Sequence, residues 1–439
     1  MTTSDPLPPP IAGKRKFIAS YGSTLLGQGL ILGLGVITGV VTARMLGPVG
    51  RGEYAAIILW PTAILYLLSL VNQAVAFYVG RQAFTISEMA TAVTAFGFVQ
   101  SLLTVAIGLA VVHFTLARYS PTVQSLGVLF VLFSPAFVLC GYPANLFQGI
   151  PDLRRFNIIR VSSPVLYLAG LVAIVLAHRS SLTFVIYSQI ASWIVSLGLG
   201  VALVWVHLSP RFRWNRAVLP SLVKYGARTQ ATNLANYFNQ RIDQLVLSLL
   251  VPPQQLGFYA VAVTLSTAVT VFPQAVGLVT FSRGSSQHSG DAKATIGHSF
   301  RASLLWLLAC CSALYLLAPF LIHRIFGAAF DGSILACRIL VPGALMIGLN
   351  QVLYGGSNAL GRPGLPSCAE GASMAVTAGG LYLLVPRYGY IGAAIVSTAA
   401  YTVSFLVMLV LTHRLLGISL RNLLFGGTTR AIPATPRGL

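Results

Sequence analysis

The sequence predicts an all-α polytopic membrane protein of about 12 transmembrane helices, arranged as two parallel six-helix repeats. Three observations carry this. Only 8% of the 439 residues are charged while 56% are hydrophobic, against about 25% charged in soluble domains. The apolar residues fall in spans long enough to cross a bilayer. The second half of the chain repeats the first in register.

The spans run over 17–42, 53–79, 88–113, 124–149, 157–177, 182–206, 223–250, 257–281, 300–319, 333–358, 366–385 and 390–413. The apolar stretch of the first is too long for a cleaved signal peptide. The Pro-rich "MTTSDPLPPPIAGKRK" before it reads as a disordered tail.

The net charge of +20 is explained by placement. Of the 28 Lys and Arg, twenty fall in the tails and in, or just inside the span ends beside, the loops that follow even-numbered spans. Seven (Arg44, Arg51, Arg118, Arg179, Arg324, Arg338, Arg387) fall in the opposite loops, and Arg241 lies inside a span. Basic residues collect on the cytoplasmic side, so both termini are expected there. Juxtamembrane cations also suit anionic lipid, so bilayer lipid is an expected partner and nucleic acid is not.

The repeat begins with "YG", at Tyr21-Gly22 and again at Tyr225-Gly226, an offset of 204. "MLGPVGRGEYAAI" from Met45 returns as "LLVPPQQLGFYAVAV" from Leu249. "PAFVLCGYPANLFQG" (135–149) aligns without gaps on "PGALMIGLNQVLYGG" (342–356) at 207, and "SWIVS" ending at Ser196 meets "AYTVS" ending at Ser404 at 208. A chance turn does not keep register in this way. Six spans per copy is an even number, so both copies share one orientation, as in transporters built from parallel repeats. The expected organisation is a cytoplasmic tail (1–16), an N-terminal bundle (17–208), a cytoplasmic linker (209–222), a C-terminal bundle (223–415) and a cytoplasmic tail (416–439).

Span 7, "YGARTQATNLANYFNQRIDQLVLSLLV", is the most polar. On a helical wheel Thr229, Thr232, Asn233, Asn236, Gln240, Asp243 and Gln244 share an arc about 120° wide, with Arg241 on its border. Amides and a carboxylate are costly against hydrocarbon, and intramembrane ionisable groups mark functional sites. The stripe is therefore expected to face a polar cavity, although helix-to-helix hydrogen bonding is the plainer reading of two or three of the amides. Gln28 in span 1, Asn72 and Gln73 in span 2, and Asn350 and Gln351 in span 10 are expected to add to that cavity. Glu53 and Glu370 lie near span N-termini, where the helix dipole accounts for them.

No Walker loop, H-E-x-x-H or G-x-S-x-G occurs. The five cysteines lack metal-ligand spacing. No cofactor or metal is expected, and a transporter is expected rather than an enzyme.

"TARMLGPVGRGEYAAI", "NQRIDQLVLSLLVPPQQLGFYAVA", "LFQGIPDLRRFNIIR", "NALGRPGLPSCAEG" and "VPRYGYIGAAIVSTAAY" together resemble the bacterial polysaccharide biosynthesis proteins. These are Wzx-type flippases within the multidrug/oligosaccharidyl-lipid/polysaccharide (MOP) exporter superfamily. The resemblance covers about Tyr21 to His413. It implies a MATE-like pair of six-helix bundles around a central cavity in the bacterial inner membrane. It implies flipping of undecaprenyl-diphosphate-linked oligosaccharide to the periplasmic leaflet for O-antigen, capsule or exopolysaccharide, with the polysaccharide polymerase machinery as a further partner. The family's acid in span 7 maps to Asp243, the expected site of proton or sodium coupling. Arg241, with Arg44 and Arg228, is the expected diphosphate contact. Two alternatives remain at this stage: a drug or cation antiporter of the same superfamily, and a membrane polysaccharide polymerase or ligase.

Overall fold

The computed structural model describes residues 14–150, 152–284 and 289–425. Among these there is no strand. The helices are α1 (Lys14–Leu68), α2 (Asn72–Gly80), α3 (Ile86–Thr115), α4 (Pro121–Phe133), α5 (Pro135–Leu139), α6 (Gly141–Gly149), α7 (Leu153–Leu176) and α8 (Leu182–Leu208) in the first half. The second half holds α9 (Val218–Leu250), α10 (Pro253–Ala268), α11 (Val271–Gly284), α12 (Ser289–Leu321), α13 (Ser333–Ala359), α14 (Gly364–Leu416) and α15 (Leu420–Phe425).

Eight of the described helical stretches are long and apolar enough to cross a membrane, or nine if α10 and α11, bent by 47°, form one span. Two of these stretches hold two crossings each. α1 is broken at Gly47 (φ 67°) and α14 at Gly389 (φ 55°), a backbone region that glycine enters without steric cost. α9 has the length of a span, at 33 residues, but too many polar groups to be counted on hydropathy. The sum is the twelve-span reading.

Helix starts follow from local chemistry. Thr85 and Glu88 form a reciprocal capping box on α3, which satisfies two otherwise orphaned N–H groups. Asp152 caps α7 and Ser181 caps α8. Spans 2, 4 and 8 are broken rather than continuous, and side chains meet the freed carbonyls. At the gap between α1 and α2, Gln100 Nε2 donates to the Leu68 carbonyl at 2.8 Å, and Gln230 Nε2 donates to that of Tyr66. At the bend between α10 and α11, Trp306 Nε1 donates to the Val269 carbonyl at 3.4 Å. Broken helices persist at membrane depth only with such partners.

The linker is shorter than the sequence predicts, because α9 begins at Val218. Its extended part is tied to the first half. Arg211 N donates to Ser87 Oγ (3.1 Å), Arg213 N to Thr91 Oγ1 (3.0 Å) and Asn215 Nδ2 to Glu88 Oε1 (3.2 Å). The two tails also differ from expectation where they are described. α1 starts at Lys14. α15 docks on α12, where Arg301 Nη1 donates to the Asn422 carbonyl at 3.0 Å.

The halves meet where the repeated motif recurs. A Cβ on Gly52 would lie 1.7 Å from the Pro253 carbonyl oxygen, and one on Gly257 would lie 1.9 Å from that of Pro48. The two copies of the motif cross each other backbone against backbone, at the end of the molecule away from the linker.

Candidate functional site

Two adjoining cavities lie beside α9. The larger, about 990 Å³, is walled mainly by the first half and by one face of α9. The smaller, about 580 Å³, lies between the halves and reaches Thr42 and Arg51, beside the Gly52 crossing. Tyr66, Tyr237, Gln240 and Arg241 line both. Tyr66 of the first half stacks on Tyr237 of the second, with ring centroids 4.3 Å apart.

The described members of the polar stripe of α9, Gln240, Asp243 and Gln244, all border the smaller cavity. Gln230, Tyr237, Gln240, Arg241 and Gln244 look into the cavities, over an arc of about 20° to 120° on the same wheel. Asn239, off the stripe at about 280°, and Asp243, at about 320°, also bond to residues of α14. Arg241, placed on the border of the stripe by sequence, lines both cavities. Its Nη1 donates to Gln244 Oε1 at 3.3 Å. The side chains of Arg228, Thr229, Thr232, Asn233 and Asn236 lie outside the described residues.

Asp243 is 4% exposed and touches the smaller cavity, but its carboxylate is engaged by three donors. Tyr259 Oη donates to Oδ2, Ser397 Oγ donates to Oδ2 at 2.9 Å, and the Gln244 backbone N–H donates to Oδ1 at 2.7 Å. Two of the three come from other spans. One turn earlier on the same face, Asn239 Nδ2 donates to Glu370, whose other oxygen accepts from Tyr354 Oη at 2.8 Å. Glu370 is thus the centre of a second acid cluster, which the sequence reading assigned to a helix dipole. The signal that could have found it is Asn239, a polar residue off the stripe and facing span 11.

Among the described residues three arginines reach the cavities: Arg241 in both, Arg160 in the larger and Arg51 in the smaller. Sequence counting placed Arg160 and Arg51 in loops, because each lies close to a predicted span end. The helices extend further, so both side chains enter the walls. Arg160 Nη2 donates to Gln28 Oε1 at 2.8 Å. The Arg51 guanidinium sits over the Tyr54 ring, 5.3 Å from its centroid, and its Nε has no partner among the described residues. Tyr54 Oη accepts from Tyr167 Oη at 2.9 Å.

Other expected site residues divide. Asn72 and Gln73 line the larger cavity and Gln351 the smaller. Asn350 does not line either. It is 1% exposed, and its Nδ2 donates to Ser404 Oγ at 3.1 Å inside the second half. Adjacent helix positions lie about 100° apart, so Gln351 and Asn350 look different ways. Arg44 also stands away from both cavities. Its Nε donates to the Ile325 carbonyl at 2.6 Å and its Nη2 to that of Arg324.

Two helical halves around a cationic, amide-rich cavity are a fold shared with solved transporters of the MOP superfamily. The solved structures agree on the fold. A lipid II flippase MurJ in an inward closed conformation superposes with a TM-score of 0.73 at 14% identity, covering 90% of this chain and 87% of that one. An inward-facing multidrug resistance MATE family transporter gives 0.68 at 13%, covering 86% and 93%. A MOP superfamily transporter from Pyrococcus furiosus gives 0.55 at 14%, covering 88% and 94%. A family model described as "Polysaccharide biosynthesis protein" matches residues 17–281, and the chain belongs to that family. No curated protein matches it in sequence.

Proposed function

We propose that this protein flips undecaprenyl-diphosphate-linked oligosaccharide from the cytoplasmic to the periplasmic leaflet by alternating access, as a transporter and not as an enzyme. Both termini then lie in the cytoplasm of a bacterial cell, and the protein supplies O-antigen, capsule or exopolysaccharide synthesis. The observation that carries the reading is the set of arginines, Arg51, Arg160 and Arg241, around a cavity otherwise lined by amides, hydroxyls and aromatic rings. A diphosphate suits the planar guanidinium fork, and sugars suit the amides and ring faces. The lipid tail need not leave the bilayer. Family membership and the fold shared with a lipid II flippase support a lipid-linked cargo.

Asp243 is the proposed coupling residue, binding a proton or sodium ion within the second half. The test of the whole reading is reconstitution. Vesicles holding the purified chain should move a fluorescent undecaprenyl-diphosphate sugar across the bilayer. If they instead exchange organic cations for protons or sodium and leave the lipid in place, the antiporter reading replaces this one.

A further inference from the structure

On the face away from the linker, two arginines of the first half grip backbone carbonyls of the second. Arg118, in the loop after α3, donates from Nη1 to the Leu249 carbonyl and from Nη2 to that of Val251 at 2.7 Å. These carbonyls close the C-terminal end of α9, which has no further intrahelical donors. The neighbouring Tyr119 Oη adds a bond to the Ser248 carbonyl at 2.8 Å. Arg44, three residues before the Gly47 break, holds the Arg324 and Ile325 carbonyls in the π-helical turn Ile322–Phe326 that ends α12.

The two contacts are one contact seen twice. At the offset of the repeat, residue 44 matches 248, next to the Leu249 carbonyl that Arg118 holds, and residue 118 matches 324. In each case the end of a half's first span meets the loop after the other half's third span. The donor changes place: at one contact the loop supplies the arginine, at the other the span end does. Both arginines are exposed at the surface, and neither lines a cavity. Between them lies the Gly52–Gly257 crossing.

We infer that Arg44 and Arg118 are paired latches that hold the halves together on this face and so set how often the cavity opens there. The inference rests on alternating access as proposed above. A carbonyl at a helix end carries partial negative charge, so each guanidinium meets an electrostatic as well as a geometric match. Separating the halves on this face must break both latches and return four carbonyl contacts to water. Acting in parallel, the latches make the open state rare without blocking it. Arg44 therefore acts on the conformational equilibrium and not on the cargo.

The test uses the full chain in lipid nanodiscs, with spin labels carried on a non-canonical amino acid so that the native cysteines stay in place. Pairs at Ala117 with Gln254 and at Val49 with Ala329 report the latched face. A pair at Gln82 with Arg362 reports the linker face. In the Arg44→Ala/Arg118→Ala variant the ratio of long to short distances across the latched face should rise about tenfold, the loss of roughly one charge-assisted hydrogen bond. The linker-face distance should shorten in step, which mere loosening of the structure does not produce. Arg44→Lys/Arg118→Lys should fall between. Should the double variant fail to purify as a monodisperse species, the single variants Arg44→Ala and Arg118→Ala, each read by both pairs, carry the test. Distance distributions that match those of the unaltered chain overturn the inference, as does widening of the latched face with no change on the linker face. A chain that flips no lipid-linked sugar yet shows these shifts refutes the proposed cargo and leaves the latches standing.

Discussion

Gly52 and Gly257 face each other across the two halves: a Cβ on Gly52 would lie 3.0 Å from the Gly257 nitrogen and one on Gly257 3.2 Å from the Gly52 nitrogen, and each would run into a carbonyl, Pro253 for one and Pro48 for the other. The phrase that recurs in the sequence is therefore a contact made with its own copy. Close backbone approach through small residues is how helices associate in lipid, where apolar attraction is weak.

Gly52→Ala and Gly257→Ala are each expected to force this crossing apart. Overpacking of this kind costs about 1–3 kcal/mol, enough to favour states opened on the latched face. Thr42 lines the smaller cavity and is 1% exposed, so a Thr42→Cys reporter should react several-fold faster with an impermeant maleimide applied from that face. Unchanged labelling in both glycine variants would count against a sealing role for the crossing.

Charge alone will not serve at the cavity arginines. Arg241→Lys, Arg160→Lys and Arg51→Lys should each weaken binding of an isoprenoid diphosphate by about tenfold, since lysine lacks the bidentate fork. Arg44→Lys should leave that affinity unchanged, because Arg44 is spent on the Arg324 and Ile325 carbonyls. Equilibrium binding to the purified chain in nanodiscs decides. Equal losses at Arg44 and Arg241 would remove the distinction between latch and cargo contact.

At Asp243 the expected loss is of coupling and not of fold. Asp243→Asn keeps an oxygen within reach of Tyr259 and Ser397 and removes the charge. Flipping should then no longer respond to an imposed proton or sodium gradient, while membrane levels and melting temperature hold. Gradient-dependent flipping by purified Asp243→Asn would falsify the coupling role.

Glu370→Ala is expected to act on stability. It strands Asn239 Nδ2 and leaves Tyr354 Oη only Ser404 Oγ at 3.0 Å, and a buried group left without its partner costs about 1–3 kcal/mol. Thermal unfolding followed by intrinsic fluorescence should show a midpoint several degrees lower. Tyr354→Phe should show a smaller drop, since Ser404 and Asn350 keep each other. A melting curve identical to that of the unaltered chain would mean that the cluster contributes nothing to stability.

The span count and the duplication are legible in the sequence because lipid enforces both long apolar runs and register. Span ends are not, and that had consequences. Arg51 and Arg160 read as charges of the loops beside predicted span ends, yet α1 runs on through Arg51 and α7 begins at Leu153, and both side chains enter the cavities. The stripe of α9 is legible as polar, but the bonds of Asp243 to α10 and α14 are not. A wheel gives direction around one helix and says nothing of which neighbour stands in each direction, so Tyr259 and Ser397, the partners of Asp243, are invisible to it. Arg44 shows the complementary limit. A guanidinium that donates to backbone carbonyls leaves no trace in residue type at the accepting end.

The self-complementary crossing has a further consequence. A patch that meets its own copy about a twofold axis is the geometry of a homodimer interface. Here the two subunits are joined by one peptide connection. That connection adds little at the contact, because residues 211–215 are already fastened to α3. Cutting the gene at Ala217 should therefore yield two polypeptides, 1–217 and 218–439, that find each other in the membrane when co-expressed. Co-purification of an untagged first fragment with a tagged second one would show it. Gly257→Leu in the second fragment alone should abolish the pairing, by removing the surface on which one half recognises the other.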